Sequence, residues 1–247
     1  YAGCGFYSLN RTTSQNDFYI GFLTWFNKFL EFVTSPETAS PLDFYSWHLY
    51  TNDPHEIIVH AEYVQRRLDD FGLTNTENIF DEWNLMYHPT PPGKNIFERQ
   101  RDMEGAAFTA ASFALMQYSP IDKAMYYDAL PTRSYGSFYN FPSMKVSQAG
   151  STFAQFNKLY KLGTAVKTAV CGDENVYAVA AKGANGCAAL IVNYTTEPQM
   201  IVIDANGCGN ISAIKLLDDT PDFVDAPIPE GNAITLNKYA IAYVEFN

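Results

Sequence analysis

The chain has 247 residues, 47% of them hydrophobic and 17% charged, with 27 acidic against 16 basic side chains and a formal net charge of −11. That composition describes a soluble globular chain with a real core, in one large domain or two ordinary ones, and the acidic balance argues against nucleic acid and anionic membranes as partners while leaving neutral sugars open. No apolar run approaches the roughly 20 residues needed to span a bilayer, no signal peptide is visible, and Tyr1 is not a translation start, so an upstream segment is expected to have been removed.

The first two thirds of the chain alternate short strands with long helices. Ala2 to Leu9 reads as a strand, and a helix is expected from about Asn16 to Val33, where Phe18, Phe22, Trp25, Phe26, Phe29 and Val33 fall at helical spacing. Residues 43–50 form the second expected strand. Asn52-Asp53-Pro54 then starts a helix that Gly72 stops. The third strand is expected at 78–83, followed by a Pro-rich loop and an Ala-rich helix from about Glu98 to Tyr118. A fourth strand at 123–128, an aromatic loop through Pro142 and a helix from about Ser147 to Leu162, stopped by Gly163, complete this part. Strands alternating with helices imply parallel pairing, either in a doubly wound sheet or in part of a (β/α)8 barrel, of which four units are half.

After Gly163 the pattern changes. Strands are expected at 176–181, 188–193, 200–203, 213–217, 233–236 and 241–246, separated by Asn-Gly and Gly-Asn turns, which indicates an antiparallel sandwich. The expected fold class is therefore α/β: the C-terminal half of a (β/α)8 barrel in 1–164, then an antiparallel β-sandwich in 165–247.

Four cysteines, Cys4, Cys171, Cys187 and Cys208, contain no C-x-x-C pair. The last three could include a disulfide or remain free thiols, so they fix no compartment. The four His residues show no metal-ligand spacing, and neither a metal nor another cofactor is expected. Asn10, Asn193 and Asn210 each begin an N-x-S/T triplet, which matters only where glycosylation exists. There is no G-x-S-x-G elbow and no phosphate-binding Gly loop. The 18 Phe and 17 Tyr fit a large aromatic core, with sugar-stacking surfaces as the functional alternative.

Three strand ends carry the chemistry. Asp81-Glu82-Trp83-Asn84 closes the third strand, and in barrels the C-terminal strand ends face the active site. A carboxylate there serves as nucleophile or acid, whereas the plain structural reading is a capping or salt-bridged acid. The second strand ends Trp47-His48-Leu49-Tyr50, and the period of 2 points His48 and Tyr50 the same way. The fourth ends Tyr126-Tyr127-Asp128.

Asp-Phe-Tyr-Ser-Trp-His-Leu-Tyr followed by Phe-Asp-Glu-Trp-Asn resembles glycoside hydrolase clan A, and most of all family 39, the β-xylosidase and α-L-iduronidase type. The resemblance spans most of the chain. It implies a sixth barrel strand ending at His48 and Tyr50, and a seventh carrying Glu82 as nucleophile, with Asp81 where the family has Thr. It also implies an eighth strand ending at Tyr126, Tyr127 and Asp128, and a sandwich after the barrel. His48, Tyr50, Trp83, Asn84, Tyr127 and Asp128 are the implied substrate-binding residues. The clan's general acid/base sits in an Asn-Glu-Pro motif, and no Asn-Glu-Pro occurs in this sequence.

The resemblance therefore implies a retaining glycosidase acting on an oligosaccharide or glycoside, completed by an upstream barrel half or a second chain, and secreted or held in the cell envelope, with a cytoplasmic location left open. The alternative is a non-catalytic carbohydrate-binding or scaffold protein using Trp47, Trp83, Tyr126 and Tyr127. A third reading, an open-sheet protein of another function, leaves the acid at the end of the third strand without a role.

Overall fold

The computed structural model describes residues 2–3, 5–9, 15–87, 89–184 and 186–247. The chain is a mixed α/β protein that forms two compact units. One comprises residues 1–89 and 118–127, the other residues 90–117 and 128–247. This division by contacts differs from the boundary expected near residue 164, because the helices between residues 96 and 160 pack with the C-terminal strands.

In the first unit, β1 (Ala2–Gly3), β2 (Phe44–Thr51), β3 (Glu77–Leu85) and β4 (Lys123–Tyr126) form a parallel sheet in sequence order. The expected strand at 2–9 is shorter, since Tyr7–Leu9 turns into a helical loop. Helix α1 (Asp17–Thr34) begins where Asn16 accepts a hydrogen bond from the Tyr19 N–H at 3.1 Å, a cap that satisfies one of the four orphan donors of a helix start. Helix α2 (Pro54–Asp70) is capped by Asp53, which accepts from the His55 N–H at 2.9 Å, and Pro54 occupies the first turn, where its missing N–H costs nothing. Gly72 ends it with a φ of +73°, a left-handed conformation open to glycine at no steric cost.

The core of this unit is aromatic. Phe26 of α1 stacks on Tyr45 at 4.3 Å between centroids, and Trp47 lies between Phe80, at 4.3 Å, and His60 of α2, at 6.0 Å. The Trp47 indole donates to Asn78 Oδ1 at 2.7 Å, and Asn78 Nδ2 donates to the Ala61 carbonyl at 3.0 Å, so the indole N–H and the Asn78 amide are paired inside this core.

In the second unit the expected helix at 98–118 is two helices, α3 (Ile96–Arg99) and α4 (Met103–Met116). Two caps explain the break: Asn95 accepts from the Phe97 N–H at 2.9 Å and Asp102 from the Glu104 N–H at 3.0 Å. The junction folds back on Gly105, where a Cβ would meet the Gln100 carbonyl oxygen at 2.2 Å, so only glycine fits. A short hairpin, β5 (Tyr139–Asn140) with β6 (Lys145–Val146), lies in the loop that precedes α5 (Gln148–Tyr160).

The remaining strands are β7 (Thr164–Val166), β8 (Val176–Gly183), β9 (Gly186–Asn193), β10 (Gln199–Val202), β11 (Ile211–Leu217), β12 (Val224–Ala226), β13 (Ala233–Leu236) and β14 (Ile241–Phe246). Six of them form one antiparallel sheet in the order β12-β11-β14-β9-β8-β7, and β10 pairs with β13. Alternation sorts the six-stranded sheet into two buried faces. Tyr177, Val179, Leu190, Val192, Ile241 and Tyr243 pack with Ala106, Ala107, Ala110 and Ala111 of α4 and Leu159 of α5. Val176, Ala180, Ile191, Ala242, Val244 and Phe246 pack with Ile201, Ile234 and Leu236 of the two-stranded sheet. Helix α4 is buried along almost its whole length, which is why it lacks a polar face and is so rich in Ala.

Cys187 and Cys208 form a disulfide, and Cys171 is a free exposed thiol; Cys4 lies outside the described residues. Asn193 is fully buried, its Nδ2 within 3.0 Å of the Glu197, Leu236 and Asn237 carbonyls, so its amide is consumed inside the protein and is no glycosylation acceptor. Asn210 is exposed, and Asn10 lies outside the described residues. No helix among the described residues is long and apolar enough to cross a membrane.

Candidate active site

The site is built where β2 and β3 end. Their register runs Ser46 beside Ile79 and Trp47 beside Phe80, then jumps to His48 beside Glu82, Leu49 beside Trp83 and Tyr50 beside Asn84. On the other side, Phe80 pairs with Ala124 and Trp83 with Tyr126. Strand β3 therefore carries one residue more than both neighbours, a bulge at Asp81-Glu82.

The bulge decides which way Glu82 points. In a regular strand, Asn78, Phe80 and Glu82 would share one face, and that face is covered by α2 and the Trp47 ring. The extra residue resets the alternation. Phe80 and Trp83, three residues apart, stack on the same face at 6.1 Å between centroids, and Glu82 turns to the face of His48 and Tyr50. There Tyr50 Oη donates to Glu82 Oε1 at 2.6 Å, a short charge-assisted hydrogen bond. Glu82, His48 and Tyr50 are each partly exposed.

Tyr50 is itself held. The Tyr7 hydroxyl donates to the Tyr50 carbonyl at 3.1 Å and accepts from its N–H at 3.3 Å, an arrangement that covers both backbone groups of the residue where β1 has already ended. One residue further, the Thr51 hydroxyl bonds to the buried Glu56 carboxylate of α2 and accepts from the Asp53 N–H at 3.1 Å, so the strand end is tied to the helix cap that follows it.

Asn84 is buried and bridges to β4. Its Nδ2 donates to the Tyr127 carbonyl at 2.7 Å, and its Oδ1 accepts from the Tyr126 hydroxyl at 3.2 Å and the Leu85 N–H at 2.7 Å. The Tyr126 ring meets Trp83 edge-on at 4.9 Å. Trp83 is only 1% exposed, so its ring supports the strand and offers almost no surface to a ligand. Tyr127 is 40% exposed, with its N–H bonded to the Trp83 carbonyl at 3.1 Å. Asp128 belongs to the second unit, where its Oδ1 accepts from the Leu130 N–H at 2.9 Å and its carbonyl from the Ser137 N–H at 3.0 Å.

Thus the first unit brings together Glu82, Tyr50 and His48 on one face and Asn84, Tyr126 and Tyr127 at the neighbouring strand end. Sequence reasoning missed the Tyr7 clamp and the bulge. The one local signal for the bulge was the pair of adjacent acids, Asp81 and Glu82, inside an otherwise apolar strand. Asp81 is the residue that the register skips, and its buried Oδ1 has no hydrogen-bond partner.

The C-terminal ends of barrel strands are where catalytic side chains sit, and a carboxylate there can act as a nucleophile. No family model matches the chain, and no curated protein matches it in sequence. Solved structures do match. A glucosidase from Croceicoccus marinus superposes with a TM-score of 0.61 at 21% identity, over 88% of this chain and 56% of that one. The family 44 endoglucanase Cel44A from Clostridium thermocellum does so at 0.58 and 12% identity, over 100% and 56%. A family 30 endoxylanase from Clostridium papyrosolvens gives 0.56 and 13%, over 87% and 52%.

The structural neighbours are thus glycoside hydrolases of the clan A-like kind, and at these identities the likeness is one of fold. The chain spans about half the length of the solved structures it matches.

Proposed function

We propose that this chain is part of a retaining glycoside hydrolase of clan A, most like family 39, with Glu82 as nucleophile. The observation that carries the reading is the 2.6 Å bond from Tyr50 to Glu82 on the face to which the bulge in β3 turns the acid. In this mechanism Glu82 attacks the anomeric carbon as the glycosidic bond breaks, and a second carboxylic acid protonates the departing oxygen. Water then displaces the sugar from Glu82, with the second group acting as base. The two carboxyls must lie about 5–5.5 Å apart. The second belongs, in this reading, to an upstream barrel half or a second chain, because the sequence holds no Asn-Glu-Pro.

Residues 1–164 are then the last four strand–helix units of a barrel and 165–247 its sandwich. His48 and Tyr127 contact the sugar, Trp83 and Asn84 hold the strand ends beneath it, and Asp128 opens the loop that follows. The fold of the neighbours supports a carbohydrate substrate, and the Cys187–Cys208 disulfide supports a secreted or cell-envelope location, where such bonds persist.

Replacing Glu82 by Gln removes the nucleophile and keeps the shape. Turnover of glycosides by the complete enzyme is expected to fall on the order of 10³-fold or more, with the far-UV circular dichroism unchanged. Full activity in Glu82→Gln would end the assignment. Oligosaccharide binding by calorimetry with no hydrolysis in the complete protein would favour the non-catalytic reading, for which the missing Asn-Glu-Pro speaks.

A further inference from the structure

The Tyr50 hydroxyl keeps its bond to Glu82 only while the end of β2 stays in place, and element ends are where local fraying starts. On the side of β3 the ladder runs on past Tyr50, for the Thr51 carbonyl accepts from the Met86 N–H at 3.0 Å. On the other side β1 is two residues long and pairs with Ser46 and Trp47, short of Tyr50. The chain then turns into the helical loop Tyr7–Leu9, and the Tyr7 hydroxyl takes the place of the missing ladder. It donates to the Tyr50 carbonyl at 3.1 Å and accepts from the Tyr50 N–H at 3.3 Å. One hydroxyl can do both, since it carries a proton and free lone pairs.

The phenol that does this is itself fixed. Next to it in the chain, Phe6 is 1% exposed, with its ring 5.4 Å from Phe26 and edge-on to Tyr63 at 5.2 Å. The Leu9 N–H closes the loop on the Phe6 carbonyl at 2.9 Å. The Tyr7 ring meets Tyr19 of α1 edge-on at 5.7 Å and His60 of α2 edge-on at 6.3 Å. Gly5 makes room for this approach: a Cβ there would stand 2.7 Å from Leu49 Cδ1 and 3.2 Å from Tyr7 Cζ. A phenylalanine at position 7 would make the same ring contacts. What the hydroxyl adds is the pair of bonds to Tyr50, the residue that donates to Glu82 at 2.6 Å.

We propose that Tyr7 is a positioning residue for the Tyr50–Glu82 pair: its hydroxyl sets the backbone of Tyr50 and, through it, the place at which the Tyr50 hydroxyl meets the acid. A misplacement of about 1 Å in a catalytic constellation can cost about 100-fold in rate, so a tie on the backbone of the donor acts on the chemistry. The inference rests on Glu82 as nucleophile and adds to that reading the group that holds its donor. A tie that served stability alone would give a different pattern, because its loss would add to the loss of Tyr50 instead of acting through it.

The test is a double-mutant cycle in the complete enzyme. Tyr7→Phe is expected to lower kcat about threefold to tenfold, with KM within about twofold of the wild-type value. In the Tyr50→Phe background the same substitution is expected to change kcat by less than about twofold, because the bond it protects is already gone. An equal loss in the two backgrounds overturns the proposal, and so does a wild-type kcat in Tyr7→Phe.

A second readout needs no turnover. With tyrosine labelled with carbon-13 at Cζ, the Tyr50 resonance, assigned by its loss in Tyr50→Phe, reports the bond to Glu82, and Glu82→Ala gives its position without the acceptor. In Tyr7→Phe this resonance is expected to move towards the Glu82→Ala position; a resonance that stays where it is in the wild type overturns the proposal. The two claims fail separately. A moved resonance in a protein whose hydrolysis does not depend on Glu82 sinks the nucleophile assignment alone, whereas an unmoved one in an enzyme that does depend on Glu82 sinks the positioning role alone.

Discussion

The two units stabilise their sheets differently. In the unit that contains β7 to β14, alternation supplies two apolar sets, with one register shift between Ile211 and Ala213 of β11, and each has a cover of its own: α4 and α5 on one face, the two-stranded sheet on the other. In the unit that contains β1 to β4, one face is packed by stacked rings and helices, while the other presents Glu82, Tyr50 and His48. The first arrangement covers both faces of its ladder with apolar side chains. The second interrupts its ladder at one residue, and that residue precedes the candidate nucleophile. Broken regularity at a strand end, next to an acid, is where function is to be sought.

The contrast can be broken by substitution. The largest effect on stability is expected for Trp47→Ala, which removes the ring between Phe80 and His60 and the donor to Asn78: about 3–5 kcal/mol, read as a fall in the urea midpoint. The antiparallel unit stacks its rings between helices, Phe113 of α4 on Phe156 of α5 at 4.3 Å between centroids. Its strands are tied instead by the disulfide, which closes a segment of sequence separation 21. Cys208→Ser is expected to cost about 3 kcal/mol relative to the disulfide-bonded protein, and Cys187→Ser the same, read as a fall in the urea midpoint.

At the site the effect moves from stability to rate. Tyr50→Phe leaves the packing and removes the bond to Glu82 Oε1. A loss of about 1.5–3 kcal/mol is expected in the transition state, roughly 10–100-fold in kcat of the complete enzyme, with the thermal midpoint almost unchanged. An unchanged kcat would mean that the tyrosine does not position the acid.

The smallest effect is a slope. Burial pushes the Tyr239 phenol up to about 12 from 10.0, with the Glu104 charge adding to it. The folded state therefore holds this proton more tightly than the unfolded chain. The stability it contributes is complete below pH 10 and is lost as the pH rises towards 12. Tyr239→Phe is expected to flatten the alkaline decline between those values, and an identical decline in the variant would count against the shift.

Much of the fold was legible in the sequence because its signals are local. Caps at Asn16, Asp53 and Ser147, the stop at Gly72 and the two-residue alternation after Gly163 each act within a few positions, and the helices and long strands stand close to where these residues put them. What was illegible carries no periodic signal. The break between α3 and α4 is set by the Asp102 cap and by the close approach of the Gln100 carbonyl to Gly105. The β5–β6 hairpin and the short β7 and β12 carry too few residues to show a period. The Cys187–Cys208 pairing depends on which loops meet.

At the candidate site, Glu82, His48 and Tyr50 were readable as strand ends. The alternation that paired His48 with Tyr50 would have turned Glu82 towards α2, and the bulge that reverses this has no periodic signature. Asn84 and Trp83 were expected to bind substrate by position; both are buried, and their observed contacts are internal: Asn84 with Tyr127 and Tyr126, Trp83 with Phe80 and Tyr126.

The central claim is that Glu82 forms the covalent bond to the sugar. Its most direct test is peptide mapping by mass spectrometry after the complete enzyme is incubated with 2-deoxy-2-fluoro glycosyl fluorides, whose leaving group needs no general acid and whose glycosyl–enzyme intermediate hydrolyses slowly. The account predicts one added glycosyl mass on the peptide that contains Glu82, and none in Glu82→Gln. An adduct on another carboxylate, or turnover of glycosides by Glu82→Gln at the wild-type rate, would contradict it.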